Sequence, residues 1–106
     1  MNSFNEYQEE AFKTALPQCR NITYMTLGLT NESGEVAGKV KKYFRGDNSR
    51  PAVTEELKKE LGDCLWYIAG LAEILGLSLS EIAGHNIEKL RSRQERGTLQ
   101  GNGDNR

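Results

Sequence analysis

Four carboxylates stand out by spacing. Glu32 and Glu35 lie three residues apart, as do Glu60 and Asp63. On a helix, that spacing puts both side chains of a pair on neighbouring surface within one turn. Acids make up 15 of 106 residues, so roughly two such pairs arise by chance in a helical chain of this size. Position on the helix separates them. Glu6 and Glu9, a third pair, sit opposite the apolar face of their helix and read as solvated surface. Glu32 borders the Met25, Leu29, Val36, Tyr43 stripe, and Glu60 borders the Leu57, Leu61, Ile68 stripe. Carboxylates at the rim of a packing face lose part of their hydration. If two such rims meet, four negative charges converge, which is unfavourable unless cations fill the space. The competing reading is surface acids paired with nearby lysines.

The rest of the composition narrows which cation that is. His85 is the only histidine, and Cys19 and Cys64 are the only cysteines. Zinc sites built on two histidines, four-thiolate sites and paired Glu-x-x-His di-iron sites are excluded. A bound metal must take oxygen ligands, which points to magnesium, manganese or calcium. Gly34 and Gly62 sit inside the two acid pairs, although each costs its helix about 1 kcal/mol against alanine. Their missing side chains leave room for a helix or a ligand to approach closely.

Helical periodicity runs through almost the whole chain. Ser3-Phe4-Asn5-Glu6 fits a capping box, followed by Phe4, Tyr7, Ala11 and Phe12 at helical spacing up to Pro17. A second helix is expected from about Ile22 to Phe44, with Gly46 as its C-terminal cap. Residues 46–51 read as a polar loop. A third helix is expected from about Thr54 to Leu75, closed by Gly76. Ser78-Leu79-Ser80-Glu81 is a second capping box and opens a fourth helix carrying Ile82, Ile87 and Leu90. The expectation is an all-α protein, with residues 1–96 as one four-helix antiparallel bundle-like domain and residues 97–106 as a glycine-rich polar tail and possible lid. Trp66 and Leu71 widen the apolar arc of the third helix beyond one neighbour's reach. With only 37% hydrophobic residues and 27% charged, a chain this small is a marginal lone globule. Self-association would supply the missing partners.

A formal net charge of -1 disfavours a general electrostatic grip on nucleic acid. No apolar run approaches the roughly 20 residues of a membrane span, and the first residues, Met1-Asn2-Ser3-Phe4-Asn5, lack the character of a secretory leader. A soluble, cytoplasmic protein with no membrane or nucleic-acid partner is expected.

The segment Gly28-Leu-Thr-Asn-Glu-Ser-Gly-Glu-Val-Ala-Gly-Lys-Val-Lys-Lys42, followed by Glu60-Leu-Gly-Asp-Cys-Leu-Trp-Tyr-Ile-Ala-Gly-Leu-Ala72, resembles the MazG-like nucleoside triphosphate pyrophosphohydrolases. The likeness continues through Ile74–Leu79 and Asn86–Leu90 and covers most of residues 22–93. The family pattern is Glu-Glu-x-x-Glu, a spacer, then Glu-x-x-Asp. This chain has Asn31-Glu32-Ser33-Gly34-Glu35 and Glu60-Leu61-Gly62-Asp63. Asn31 replaces the first glutamate. An amide cannot act as a general base, which leaves that position to orient water or substrate.

The resemblance implies an all-α fold assembled as a homodimer or homotetramer (a dimer of dimers). It also implies Mg2+-dependent cleavage of a nucleoside triphosphate between the α and β phosphates, with Mn2+ as a substitute ion. Glu32, Glu35, Glu60 and Asp63 match the metal-ligand positions. Glu35 and Glu60 are the catalytic candidates, Glu35 as acceptor of the attacking water's proton. Lys39 is either an intrahelical ion-pair partner of Glu35 or a phosphate contact. Lys89 and Arg93 suit a helix C-terminus through the dipole alone. The family's Asn-x-x-Lys stretch makes Asn86, Lys89 and Arg93 substrate contacts as well. Trp66 and Tyr67 read as core or interface, with base stacking as the alternative. Two other functions stay in view: a diphosphatase-type phosphohydrolase on the same scaffold, acting for instance on deoxyuridine nucleotides, and a non-catalytic helical module that dimerises or binds a protein.

Overall fold

The structure, a computed structural model, describes residues 3–106. Met1 and Asn2, part of the stretch read above for leader character, lie outside the described residues. The described chain is all-helical: α1 (Phe4–Phe12), a 3-10 turn (Pro17–Cys19), α2 (Ile22–Phe44), α3 (Arg50–Ile74) and α4 (Leu79–Arg96).

Local chemistry sets these boundaries. Ser3, Asn21, Ser49 and Ser78 each occupy an N-cap, and their side-chain oxygens accept backbone N–H groups of the first turn. Ser78 and Glu81 complete a reciprocal capping box. The third helix begins at Arg50, four residues before the expected Thr54. Pro51 caused that error: in the first turn its missing N–H costs nothing and its fixed φ suits the helix, so it starts α3 instead of delaying it. Gly76 ends α3 with φ +73, which lets Leu77 N–H reach back to Ala72 O at 2.9 Å.

The antiparallel expectation holds for α2 and α3, which form a long hairpin and share the most extensive contact in the chain. It does not hold for α4. The chain turns by 102° between α3 and α4, and α4 packs mainly on α1. Gln8 holds this corner. It is buried, donates to Leu77 O at 2.8 Å and Glu73 Oε2 at 2.9 Å, and accepts from Leu79 N–H at 2.7 Å. One amide thus satisfies backbone groups on both sides of the corner. Trp66 ties α1 to α3 through Nε1, which donates to Thr14 Oγ1 at 2.8 Å and Ala11 O at 3.2 Å.

Small residues predominate in the core, with Met25, Val53 and Leu79 as its larger members. Ala69, Ala72 and Leu79 cluster with Tyr7 packed against them. Much larger apolar groups lie outside, including Phe44, Leu27 and Leu61. The radius of gyration is 16.5 Å, against about 13 Å for a compact chain of this length. No single helix among the described residues is long and apolar enough to cross a membrane.

Candidate metal centre

The α2–α3 hairpin has one register from end to end. Met25 lies against Gly70, Tyr67 against Gly28, and Lys39 against Glu56. On α2 the facing positions are 25, 28, 32, 35 and 39; on α3 they are 56, 60, 63, 67 and 70. Steps of three and four are the seam of an antiparallel coiled coil. The same register sets Glu32 opposite Asp63 and Glu35 opposite Glu60. The four acids therefore occupy two consecutive layers of a packing seam, where apolar side chains belong.

Close packing below those layers fixes the helix separation. A Cβ on Gly28 would lie 2.0 Å from the Tyr67 ring, and one on Gly70 2.6 Å from Met25 Sδ. Tyr67 meets Trp66 edge to face with centroids 4.9 Å apart, and Tyr24 at 6.2 Å. Hydrogen bonds to the Cys19 thiol first and to Tyr67 second push the Tyr24 hydroxyl up to about 12. Above the acid layers, Lys39 Nζ reaches Glu56 Oε2 at 3.7 Å. Lys39 thus pairs across the hairpin, not along α2 with Glu35.

One carboxylate oxygen from each of Glu32, Glu60 and Asp63 lies within 4.8 Å of the others. Glu32 and Glu60 are partly buried and Asp63 is exposed. Partial burial, then the Asp63 charge, a hydrogen bond and charge from Glu60, and the Glu35 charge push Glu32 above the usual carboxylate range. Burial and the same Asp63 charge raise the Tyr7 hydroxyl. Among the described residues, no Lys or Arg lies within ion-pair distance of Glu32, Glu35, Glu60 or Asp63. The four acids are therefore not held in close ion pairs, although Glu35 and Asp63 are exposed. Open space surrounds Gly34 and Gly62: a Cβ at either meets nothing within 4 Å. Oxygen donors from two helices, crowded and uncompensated beside open volume, suit a hard divalent cation that keeps sites free for other ligands. Glu35 is exposed and stands outside the group of three, within reach of Glu32 by charge.

The positive residues of α4 are placed differently. Asn86 is exposed and lines a cleft of about 250 Å³ with Phe4, Leu65, Leu79, Ile82 and Ala83. Lys89 and Arg93 follow on the same face. Because α4 turns away from α3, no hydrogen bond or ion pair among the described residues joins them to the acid cluster. Both engage Asp104 of the tail instead.

The family model of the MazG nucleotide pyrophosphohydrolase domain matches residues 20–98, which span the whole acid-bearing hairpin and α4. The chain belongs to this family. The MazG domain match starts just before α2, so α1 and most of the tail lie outside it. The Gene 37 protein of Mycobacterium phage L5 is 46% identical over 89 residues, covering 80% of this chain and 76% of that protein. The uncharacterized protein YvdC of Bacillus subtilis (strain 168) is 36% identical over 74 residues, covering 63% of this chain and 70% of that protein. No solved structure matches the chain.

The seam register, the Lys39–Glu56 pair and the Gln8 corner were missed in the sequence. The first carried a signal: the two sets of facing positions repeat in heptads once α2 and α3 are laid antiparallel. Gln8 carried one as well, as a polar residue on the apolar line Phe4, Ala11, Ala15. Lys39 and Glu56 lie on different helices across the loop expected at residues 46–51, so nothing local marks them as a pair.

Proposed function

We propose that this MazG-family chain is a magnesium-dependent nucleoside triphosphate pyrophosphohydrolase that cleaves between the α and β phosphates and serves to clean or adjust nucleotide pools. The observation that carries the reading is the convergence of Glu32, Glu60 and Asp63 at one point of the α2–α3 seam, with no cationic partner among the described residues. A divalent ion there would neutralise the polyphosphate and activate water for attack on the α-phosphorus. The chain's own residues supply the rest. Glu32, Glu60 and Asp63 hold the ion. Glu35, one turn along α2 and more exposed, accepts the water's proton. Lys39 lies one layer beyond Glu35 and Glu60, where a 32% exposed side chain can turn from Glu56 to an anion seated over the acids. Asn86 and Lys89 meet the phosphates from α4, and Arg93, buried one turn beyond Lys89, supports them from behind.

A second copy of the chain belongs to this reading. The accessible surface is 7605 Å², where about 6,000 Å² is expected of a compact monomer of this mass. A homodimer or homotetramer would cover the excess and bring α4 residues to an acid cluster. Free thiols at Cys19 and Cys64 agree with action in the cytoplasm.

The test is pyrophosphate release from a panel of ribo- and deoxynucleoside triphosphates with magnesium, with EDTA, and with Glu60→Gln. Expected is magnesium-dependent release that the variant loses while keeping its assembly state. Absence of turnover across the panel would instead favour a helical binding module.

A further inference from the structure

The tail, expected to be glycine-rich and polar, forms a closed loop on α4. Arg106 ties it: Nε donates to Thr98 O at 3.1 Å, Nη2 to Leu99 O at 2.8 Å and Nη1 to Gly103 O at 2.6 Å. Arg96 Nη1 holds Arg106 O at 2.8 Å. The loop presents Asp104 to α4. Its carboxylate accepts from Lys89 Nζ at 2.8 Å and Arg93 Nη2 at 3.1 Å, and its carbonyl accepts a second, shorter bond from Arg93 Nη2.

The two cations are held unequally. The Arg93 side chain is 6% exposed and bonds both the backbone and the carboxylate of Asp104, whereas the Lys89 side chain is 27% exposed and bonds the carboxylate alone. The Asp104 side chain is 78% exposed. An ion pair this open is weak and screened by solvent, while a desolvated arginine on a backbone carbonyl exchanges reluctantly. Lys89 and then Arg93 lower the Asp104 carboxyl below the usual carboxylate range, so at neutral pH it carries a negative charge, as a polyphosphate does.

We propose that Asp104 is an internal stand-in for a phosphate group: it occupies the Lys89 ammonium until a polyphosphate takes its place, while Arg93 keeps the loop docked through the Asp104 carbonyl. Arg93 is then a positioning residue, and Lys89 the cation that changes partner. The inference rests on the reading of Lys89 as a phosphate contact and adds what holds that lysine beforehand.

Inorganic pyrophosphate is the probe, titrated into the full chain with and without magnesium. Calorimetry gives affinity, and the amide signals of Gly101 and Gly103 report the loop. Expected is a two- to fivefold tighter pyrophosphate affinity in Asp104→Asn, about what loss of one exposed competing ion pair allows. In the unsubstituted protein pyrophosphate should shift the Gly101 and Gly103 signals without making them coil-like. Lys89→Gln should abolish that shift, and Arg93→Gln should release the loop before any ligand is added. Equal or weaker binding by Asp104→Asn, or loop signals indifferent to pyrophosphate, would overturn the proposal. A loop that responds in a protein with no triphosphate turnover would overturn the proposed activity alone. Turnover with a loop that never responds would overturn only the stand-in role.

Discussion

Met25 and Gly70 interlock across the hairpin: the methionine has no exposed surface, and its Sδ lies 2.6 Å from where a Gly70 Cβ would stand. Tyr67 fills the notch of Gly28 in the same way, one layer from Glu32 and Asp63. Alanine at Gly28 must displace the rigid Tyr67 ring, at about 1–3 kcal/mol, while alanine at Gly70 meets the flexible end of Met25 and should cost less. Met25→Ala should cost about 2–5 kcal/mol. Gly34 and Gly62 are the internal controls. Nothing stands within 4 Å of an added Cβ there, so alanine should stabilise the metal-free chain by about 0.5–1 kcal/mol through helix propensity. Urea unfolding of the four glycine variants checks the split. If Gly28→Ala and Gly62→Ala shift stability in the same direction, the seam is wrongly assigned.

Crowded like charge in the acid cluster opposes folding, and a bound cation would relieve it. Glu32→Gln and Glu60→Gln should each raise the melting temperature in EDTA and lose the gain that magnesium gives the unsubstituted chain. The pH dependence has a definite sign. Glu32 binds its proton more tightly in the folded state, because burial and then Asp63, Glu60 and Glu35 raise it. A group raised in this way makes the metal-free fold more stable as pH falls from neutral through its elevated value toward the ordinary carboxylate range. Thermal scans in EDTA between neutral and mildly acidic pH should show that rise, and Glu32→Gln should flatten it.

Lys39 and Glu56 make a second prediction about roles. Their 3.7 Å contact is a third exposed, so Lys39→Met should change stability by less than about 1 kcal/mol. Its effect should fall on substrate affinity. KM for the triphosphate should rise several-fold in Lys39→Met and fall in Glu56→Gln, which frees the ammonium. Steady-state kinetics on the two variants decide it: an unchanged KM in both confines Lys39 to the seam.

What was legible in the sequence follows from how local each signal is. Ser78 and Glu81 complete a capping box three residues apart, and Gly76 supplies the positive φ that ends α3; both are decided within one turn of chain. The acid pairs were visible for the same reason. The 102° corner was not, because it depends on Gln8 bridging α1 to residues about 70 positions away. The expectation of a closed bundle assumed that a short connection makes antiparallel neighbours. In this chain a buried amide satisfies the corner at a right angle instead. The Asp104 contact with Lys89 and Arg93 was hidden in the same way, since glycine-rich composition says little about where a loop docks.

The apolar groove between the ends of α2 and α3 carries the last prediction. Val40, Tyr43, Val53, Leu57 and Leu61 line it, with Val40 and Leu61 exposed. Contiguous apolar surface of this kind is rare on a monomer, and the chain exposes about 1,600 Å² more than its mass predicts. That excess belongs to one chain and is about twice the roughly 800 Å² that each partner of a standard interface buries. A second copy seated on this groove would account for the open shape and the small-residue core together, since each chain would complete its partner's packing. Leu61→Glu puts a charge in the groove without touching the seam, because residue 61 is not a facing position. If the chain assembles as proposed, the substitution should leave it monomeric at micromolar concentration where the unsubstituted chain is a dimer or tetramer, read by sedimentation equilibrium. The helical circular dichroism should fall along with assembly, because the protomer alone lacks a sufficient core. A variant that stays assembled with the same mass would place the partner surface elsewhere on the molecule.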